Sequence, residues 1–181
     1  ASATVYGIKY AYGSQRLGDH YHPDTGAKYA GMTQAVNDAI AQMVSNGTTI
    51  AITDIYVALG ANDSLVESHA DAFGSNLIYF ASEIRSDLGI PSARIHIPQT
   101  PTNFYPTYVP EVRTGKVAAV AAVSNMFLMG TDDLAIQSDN IHYEEASYVT
   151  IGERLATNLQ ATAATVAAES DGGTSFIMLI L

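Results

Sequence analysis

The sequence predicts an α/β protein of three layers, in which helices cover both faces of a mainly parallel β-sheet. Short runs rich in β-branched and aromatic residues alternate with longer runs whose apolar residues recur at helical spacing. Residues 50–59 are nearly all apolar, as expected for a strand buried on both faces of a parallel sheet. Strands separated by helices of this length form right-handed βαβ units.

Each element follows from a local pattern. The predicted strands share β-branched or aromatic content and turn residues at their ends, and they cover residues 4–12, 50–59, 94–97, 125–129 and 174–181. The predicted helices share apolar residues three and four positions apart, and they cover residues 27–45, 64–89, 110–123 and 144–168. Asn46 and Gly47 form a typical helix stop, and Ser64 with Glu67 predicts a capping box at the start of the second helix.

Composition excludes several classes of function. The 181 residues include 8 Lys+Arg against 18 Asp+Glu, so the net charge is −10. Such a surface repels nucleic acid and anionic lipid, and we expect neither as a partner. The chain has no cysteine, which excludes disulfides, thiolate nucleophiles and cysteine-based metal sites. No run of 18 apolar residues is present, so no membrane span is predicted.

An acid and a base lie close together in one loop at the expected carboxyl edge of the sheet, where sites in α/β proteins gather. Asp139 and His142 are three residues apart, so the carboxylate can accept the ring N–H of the histidine and fix its tautomer. The alternative is that Asp139 caps the following helix and His142 is an incidental surface residue.

Two further loops at this edge offer donors for an oxyanion. Gly60 allows a tight turn after a buried strand, and Asn62 can then project its amide N–H. Gly13, at the end of the first strand, can present a backbone N–H to the same oxyanion. The alternative for both segments is an ordinary turn, because glycine and asparagine are turn residues.

Together these segments resemble the SGNH hydrolase superfamily, in its sialate and carbohydrate O-acetylesterase-like branch. Gly-x-Asn-Asp at residues 60–63 and Asp-x-x-His at residues 139–142 are similar to blocks III and V of the superfamily. The resemblance extends from about residue 5 to about residue 159, and it also includes residues 8–14, 57–63, 73–89 and 141–156.

The resemblance implies an SGNH or flavodoxin-like fold and an ester hydrolase. His142 would be the general base, Asp139 its orienting acid, and Asn62 with the Gly13 N–H the oxyanion donors. The substrate would be an acetylated carbohydrate or another ester, with no cofactor and no metal. We expect residues 1–165 to form this domain, and residues 166–181 a C-terminal strand or the start of a further segment.

Several segments of the chain differ from the family pattern. The first block, a strand ending in the nucleophilic serine, is absent, and Val57, Leu59 and Ala61 replace the family's Trp, Gln and Glu. We therefore expect the N-terminal strand to be missing and the serine to lie upstream of Ala1, with Ser14 as the alternative nucleophile. We expect a missing N-terminal segment, another subunit or the tail strand to cover the edge beside residues 4–12.

Two other interpretations stay open. Asp19, His20, His22 and Asp24 lie close together and are residue types that bind metals, although polar loop residues that contact substrate explain them as well. The whole chain is also compatible with a non-catalytic structural or carbohydrate-binding module. In either case the expected location is extracellular or on a virion surface.

Overall fold

A computed structural model of the protein describes residues 5–167 and 174–180. Five strands form one sheet, namely β1 (Val5–Lys9), β2 (Thr49–Tyr56), β3 (Arg94–Pro98), β4 (Met126–Met129) and β5 (Thr174–Ile180). The helices are α1 (Leu17–His20), α2 (Ala27–Ser45), α3 (Glu67–Asp87), α4 (Val109–Ala122) and α5 (Glu145–Ala167). Among the described residues, no helix has the length and apolar character that crossing a membrane requires.

The sheet is parallel at every pairing, with strand order β1-β5-β2-β3-β4. The tail strand β5 lies in the interior, where Val5 of β1 pairs with Phe176 and Thr49 of β2 pairs with Thr174. Of the three partners that the sequence left open for the edge beside residues 4–12, the tail strand occupies this position. Leu181, the last residue of the predicted strand, lies outside the described residues.

Two apolar cores lie on opposite faces of the sheet, which confirms the predicted three layers. The larger core joins the inward faces of α2, α3 and α4 to strand residues such as Ile55 and Ile97. The smaller core includes Met129 and Ile151 and packs against Tyr56, so it lies beneath α5. Alternation along β2 explains the division, because neighbouring residues of a strand point to opposite faces.

A polar cluster of Asp54, Arg94 and His96 interrupts the face beneath α5. Asp54 accepts hydrogen bonds from His96 Nε2 at 2.7 Å and from Arg94 Nε at 2.9 Å. Burial alone raises the pKa of Asp54, but hydrogen bonds from His96 and Thr53 and the charge of Arg94 outweigh it, so the pKa is lowered. Asp54, a polar residue in a mostly apolar strand, therefore finds its hydrogen-bond partners on β3, the neighbouring strand of the sheet.

The predicted capping box is wrong. Ser64 lies in a short 3-10 turn (Asp63–Leu65), where its hydroxyl donates to the carbonyl of Ala61 at 2.7 Å. α3 begins only after Val66, whose extended backbone forms the N-cap without a side-chain hydrogen bond. The short helix α1 was not predicted either, since its four residues fall in a segment read as a loop.

α3 and α4 cross at a pair of glycines. A Cβ built on Gly74 would lie 2.9 Å from the Cα of Gly115, and one built on Gly115 would lie 2.8 Å from the backbone nitrogen of Gly74. Both contacts are with backbone atoms, which cannot move aside as the end of a side chain can. The close approach of the two helices therefore requires glycine at both positions.

We expect Gly74→Ala to lower the free energy of unfolding by about 1–3 kcal/mol, because the added methyl group pushes α3 away from α4. Gly152→Ala in α5 is the matched control, since a Cβ at Gly152 meets no atom within 4 Å. There the change should stabilise the helix by about 0.5–1 kcal/mol. Urea unfolding of both variants measures the difference, and equal effects would contradict the close crossing.

Candidate active site

A pocket of about 370 Å³ opens at the carboxyl edge of the sheet, and we call it the edge pocket. Its walls come from the segments that follow β1, β2 and β3 and from the loop before α5. The site residues predicted from the sequence that line it are Gly13, Ser14, Asn62 and His142. The parallel direction of the strands explains this convergence, because all carboxyl ends meet at one edge.

Asp139 and His142 form a hydrogen-bonded pair beside the edge pocket. Nδ1 of His142 lies 2.7 Å from Oδ2 of Asp139. The other carboxylate oxygen accepts the backbone N–H groups of Ile141 and His142 at 2.9 and 3.0 Å. These N–H groups precede α5, so Asp139 shapes its own loop and does not cap the helix. Asn140, between the two residues, adopts a left-handed backbone with φ of 55° that closes the loop.

The electrostatics of the pair fix the tautomer of the imidazole. The hydrogen bond from His142, followed by the two backbone N–H groups, lowers the pKa of Asp139 to about 2. Asp139 is therefore ionised at neutral pH and can only accept a hydrogen bond. Nδ1 of His142 must then hold the proton, which leaves the lone pair on Nε2 as the base.

The residues predicted to donate to an oxyanion also line the edge pocket. Asn62 donates one amide N–H to the carbonyl of Ser14 at 2.8 Å, which ties the segment after β2 to the segment after β1. The same amide has a second N–H. Ser14 adopts a left-handed backbone with φ of 58°, and the side chain of Gln15 donates to the Gly13 carbonyl at 2.7 Å. Asn62 and Gly13 thus line one wall.

Gly60 brings the segment after β2 against α4. Its φ of +119° is a conformation that residues with a side chain rarely adopt. A Cβ there would lie 2.9 Å from Cγ1 of Val112 and 3.1 Å from Cε of Lys116. Glycine is therefore required at this turn both by the backbone and by the space available.

Lys116 is a buried cation beneath the edge pocket that the sequence analysis missed. Its Nζ donates to the carbonyl of Pro98 at 2.8 Å and to the hydroxyl of Thr100 at 2.9 Å, which holds the segment after β3. Burial lowers the pKa of the ammonium group to about 7. The sequence did contain a signal for its burial, because Lys116 follows Val112 by four residues and so lies on the apolar face of α4.

Asp63 is a second buried ionisable residue, close enough to Lys116 for their charges to interact. Its Oδ1 accepts the backbone N–H of Leu17 at 2.9 Å, which fixes the start of α1 and with it the segment that contains Gly13. Burial raises the pKa of the carboxyl group to about 6, although the hydrogen bond from Leu17 and the charges of His69 and Lys116 act in the opposite direction.

Aromatic side chains form a further part of the wall and were also missed. The ring centroids of Phe104 and Tyr143 lie 5.7 Å apart, and those of Tyr143 and Tyr148 lie 5.6 Å apart. We call these three residues the aromatic wall, and all of them line the edge pocket. The available signal was the presence of Phe104 in the segment after β3 and of Tyr143 directly after His142.

The four residues considered for a metal site do not share one cluster, although His22 Nδ1 lies 3.9 Å from Oδ2 of Asp24. Asp19 lies 3.3 Å from Arg16 Nε, and His20 Nδ1 accepts the backbone N–H of Arg16 at 3.0 Å. His22 packs on the ring of Tyr79, whose hydroxyl donates to Asp24 at 2.9 Å. Within residues 5–167 and 174–180, no three His, Asp or Glu side chains are grouped so that they could hold a metal ion.

Comparisons with known proteins find a matching family model and a structure of similar fold. A family model described as "Carbohydrate esterase, sialic acid-specific acetylesterase" matches residues 2–161. A search of curated proteins finds no match. Among solved structures, an X-ray structure of a protein from Arabidopsis thaliana is similar in fold, with a TM-score of 0.69 at 20% identity. The match covers 81% of this chain and 57% of the plant protein, so the chain spans little more than half of that relative.

We expect the stability that Asp63 provides to depend on pH. Asp63→Asn keeps an acceptor for the Leu17 N–H and removes only the titration. Because the pKa is raised to about 6, the folded protein holds the proton more tightly than the unfolded chain. The contribution is complete below about pH 4 and is lost as the pH rises through 6.

The wild-type advantage over Asp63→Asn in the free energy of unfolding should thus be larger at pH 4 than at pH 7 by about 2 kcal/mol. Urea unfolding of both proteins at the two pH values measures it. If the difference in free energy of unfolding between the two proteins did not change with pH, the raised pKa of the buried Asp63 carboxyl group would be contradicted.

Proposed function

Because the chain belongs to the family of carbohydrate esterases described as sialic acid-specific acetylesterases, we propose that it forms the catalytic site of a carbohydrate O-acetylesterase. The proposal rests on the hydrogen bond between Asp139 and His142 beside the edge pocket. Asn62 and Gly13 line the same pocket and supply the donors that an ester hydrolase requires.

In the proposed reaction His142 is the general base. Nε2 takes the proton from a nucleophilic hydroxyl group, and the oxygen of that hydroxyl group bonds to the acyl carbon. The bond from that carbon to the sugar oxygen then breaks, and the sugar oxygen leaves with the proton from Nε2. Water attacks the acyl-enzyme and gives a proton to Nε2. That proton returns to the hydroxyl oxygen as acetic acid is released.

Asp139, Asn62 and Gly13 stabilise the charges that develop during the reaction. The ionised Asp139 stabilises the imidazolium that forms when Nε2 accepts a proton. The second amide N–H of Asn62 and the backbone N–H of Gly13 are donors for the oxyanion, and one such donor contributes on the order of 3 kcal/mol to the transition state.

A sugar as the leaving group is supported by the aromatic wall. Phe104, Tyr143 and Tyr148 all line the edge pocket. Aromatic rings of this kind combine an apolar surface with a polar end, which suits a ring that has both C–H and O–H groups. An acetylated carbohydrate is therefore the substrate class that we propose.

The proposal is tested on the protein at its full natural length, with p-nitrophenyl acetate and an O-acetylated sugar as substrates. We expect His142→Ala to abolish hydrolysis. Asp139→Asn should lower kcat by up to about 10⁴-fold, since it removes the acceptor that fixes the tautomer.

Asp38→Asn is the matched control, because Asp38 is an exposed residue of α2 that bonds only to its neighbour Gln34 among the described contacts. It should leave kcat and KM unchanged. Hydrolysis that survives His142→Ala would overturn the proposal. Binding of the sugar near His142 without any hydrolysis would favour the non-catalytic module instead.

A further inference from the structure

Thr100, two residues after the end of β3, is a junction between two buried side chains of α4. Only 3% of the residue is exposed, and it lines the edge pocket. Its hydroxyl oxygen accepts a hydrogen bond from Nζ of Lys116 at 2.9 Å, and its carbonyl oxygen accepts one from Arg113. Its backbone N–H donates to the side-chain oxygen of Gln99 at 3.0 Å. Thr100 is therefore held through three different groups.

One of these contacts leads to the oxyanion donor Asn62. The ammonium group of Lys116 lies against the turn at Gly60, where an added Cβ would lie 3.2 Å from Nζ. The backbone N–H of Ser64 donates to the carbonyl of Gly60 at 3.1 Å, which closes the turn around Asn62. The carbonyl of Ser64 in turn accepts the N–H of Tyr108 at 3.0 Å, at the start of α4. A displacement of the Lys116 ammonium group consequently displaces the turn that contains Asn62.

The other contact leads to the loop of the acid and the base, residues 130–142, which we call the acid–base loop. Arg113 binds both carboxylate oxygens of Asp132, with N···O distances of 2.8 and 2.9 Å. Asp132 also accepts the backbone N–H of Thr102 at 3.1 Å. Arg113 thus joins the acid–base loop to the same segment after β3 that Thr100 begins.

The acid–base loop transmits a shift of that segment to the base. The backbone N–H of Tyr105 donates to the carbonyl of Asn140 at 2.9 Å, so the segment after β3 also contacts the loop close to His142. Within the loop, the N–H of Gln137 donates to the carbonyl of His142 at 2.7 Å, and the N–H of Asn140 donates to the carbonyl of Gln137 at 2.9 Å. The loop is therefore bonded both internally and to its neighbour.

We propose that Thr100 is a positioning residue, which acts through Lys116 and Arg113 to set the separation between His142 and Asn62 across the edge pocket. This inference rests on the proposed function and deepens it. The acyl carbon of the ester has to lie within reach of the base-activated hydroxyl while its oxygen faces the oxyanion donors. A misplacement of about 1 Å in such an arrangement lowers a rate by on the order of 10²-fold.

The catalytic test uses the protein at its full natural length, with p-nitrophenyl acetate as the substrate. Thr100→Val keeps the shape of the side chain and its methyl group, but it removes the acceptor for Lys116. We expect kcat to fall by about 10-fold to 100-fold, with KM unchanged, because the reacting groups are misplaced while the pocket keeps its walls. Thr100→Ser, which keeps the hydroxyl group, should restore kcat.

Thr114→Val is the matched control. Thr114 is an exposed residue of the same helix α4, and its hydroxyl donates to the carbonyl of Pro110 at 2.9 Å, within that helix. The change should leave kcat and KM as in the wild type.

Three results of this test would overturn the proposal. The first is an unchanged kcat in Thr100→Val, and the second is an equal loss in Thr100→Val and Thr100→Ser. The third is a raised KM with unchanged kcat, which would place the hydroxyl of Thr100 on the substrate itself.

A second set of variants covers the case in which Thr100→Val alone does not fold. Lys116→Met combined with Thr100→Val replaces the polar pair by an apolar pair, so no buried group is left without its partner. Lys116→Met alone should lower kcat, and the double variant should have the same kcat, because both lack the same contact. A further loss of kcat in the double variant, or a wild-type kcat in Lys116→Met, would overturn the proposal.

The geometric test follows the NMR signals of the protein labelled with ¹⁵N-asparagine. Thr100→Val should shift the backbone amide signals of both Asn62 and Asn140, which report on the two sides of the edge pocket. The signal of Asn46 is the internal control, because Asn46 precedes β2 at the opposite edge of the sheet. Thr114→Val should shift none of the three signals.

The two tests separate this inference from the proposed function. If the wild-type protein does not hydrolyse acetyl esters, the proposed function fails, and the asparagine signals alone decide whether Thr100 links the two segments. Unchanged signals of Asn62 and Asn140 in Thr100→Val would overturn the inference in either case. Hydrolysis that depends on His142 but not on Thr100 overturns only the inference.

Discussion

The common direction of the five strands is the constraint on which the site depends. Hydrogen bonding between parallel strands places every carboxyl end at one edge, so segments far apart in sequence must meet there. Residues 13, 62 and 142 line one pocket for this reason and not because of any local attraction between them. An antiparallel strand in the interior would send one of these segments to the other edge.

The common strand direction brings these segments together but does not fix their conformations. Asp63 and Lys116 fix two of these segments, because Asp63 accepts the backbone N–H of Leu17 at the start of α1 and Lys116 donates to the carbonyl of Pro98 at the end of β3. Buried polar groups destabilise a fold when they lack partners, but here their partners are the loops that the site needs. The rigid part of the site is thus buried, whereas the acid and base beside the edge pocket are largely exposed, with 45% and 62% of their side chains accessible.

The sequence predicted those features that depend on local spacing. The helix at residues 27–45 was predicted with its observed bounds, because its apolar residues repeat at 3.6 and a glycine with φ of 79° ends it. Asp139 and His142 were predicted to meet, since three residues separate them. The bond from Asn62 to Ser14 and the place of β5 could not be predicted, because both depend on which strands become neighbours in space. Lys116 was missed because composition rules treat lysine as a surface residue.

The interior place of β5 has a consequence for how the protein is made. Synthesis on the ribosome delivers β1 and β2 early, yet these strands are joined in the sheet only through β5, which is made after the other four strands. The nascent chain therefore holds two unpaired strand edges until residues 174–180 emerge. Such a topology has a high contact order and favours slow folding with exposed edges that are prone to aggregation. We expect the sheet to close only after synthesis of the tail, and chaperones that shield strand edges to raise the yield of folded protein.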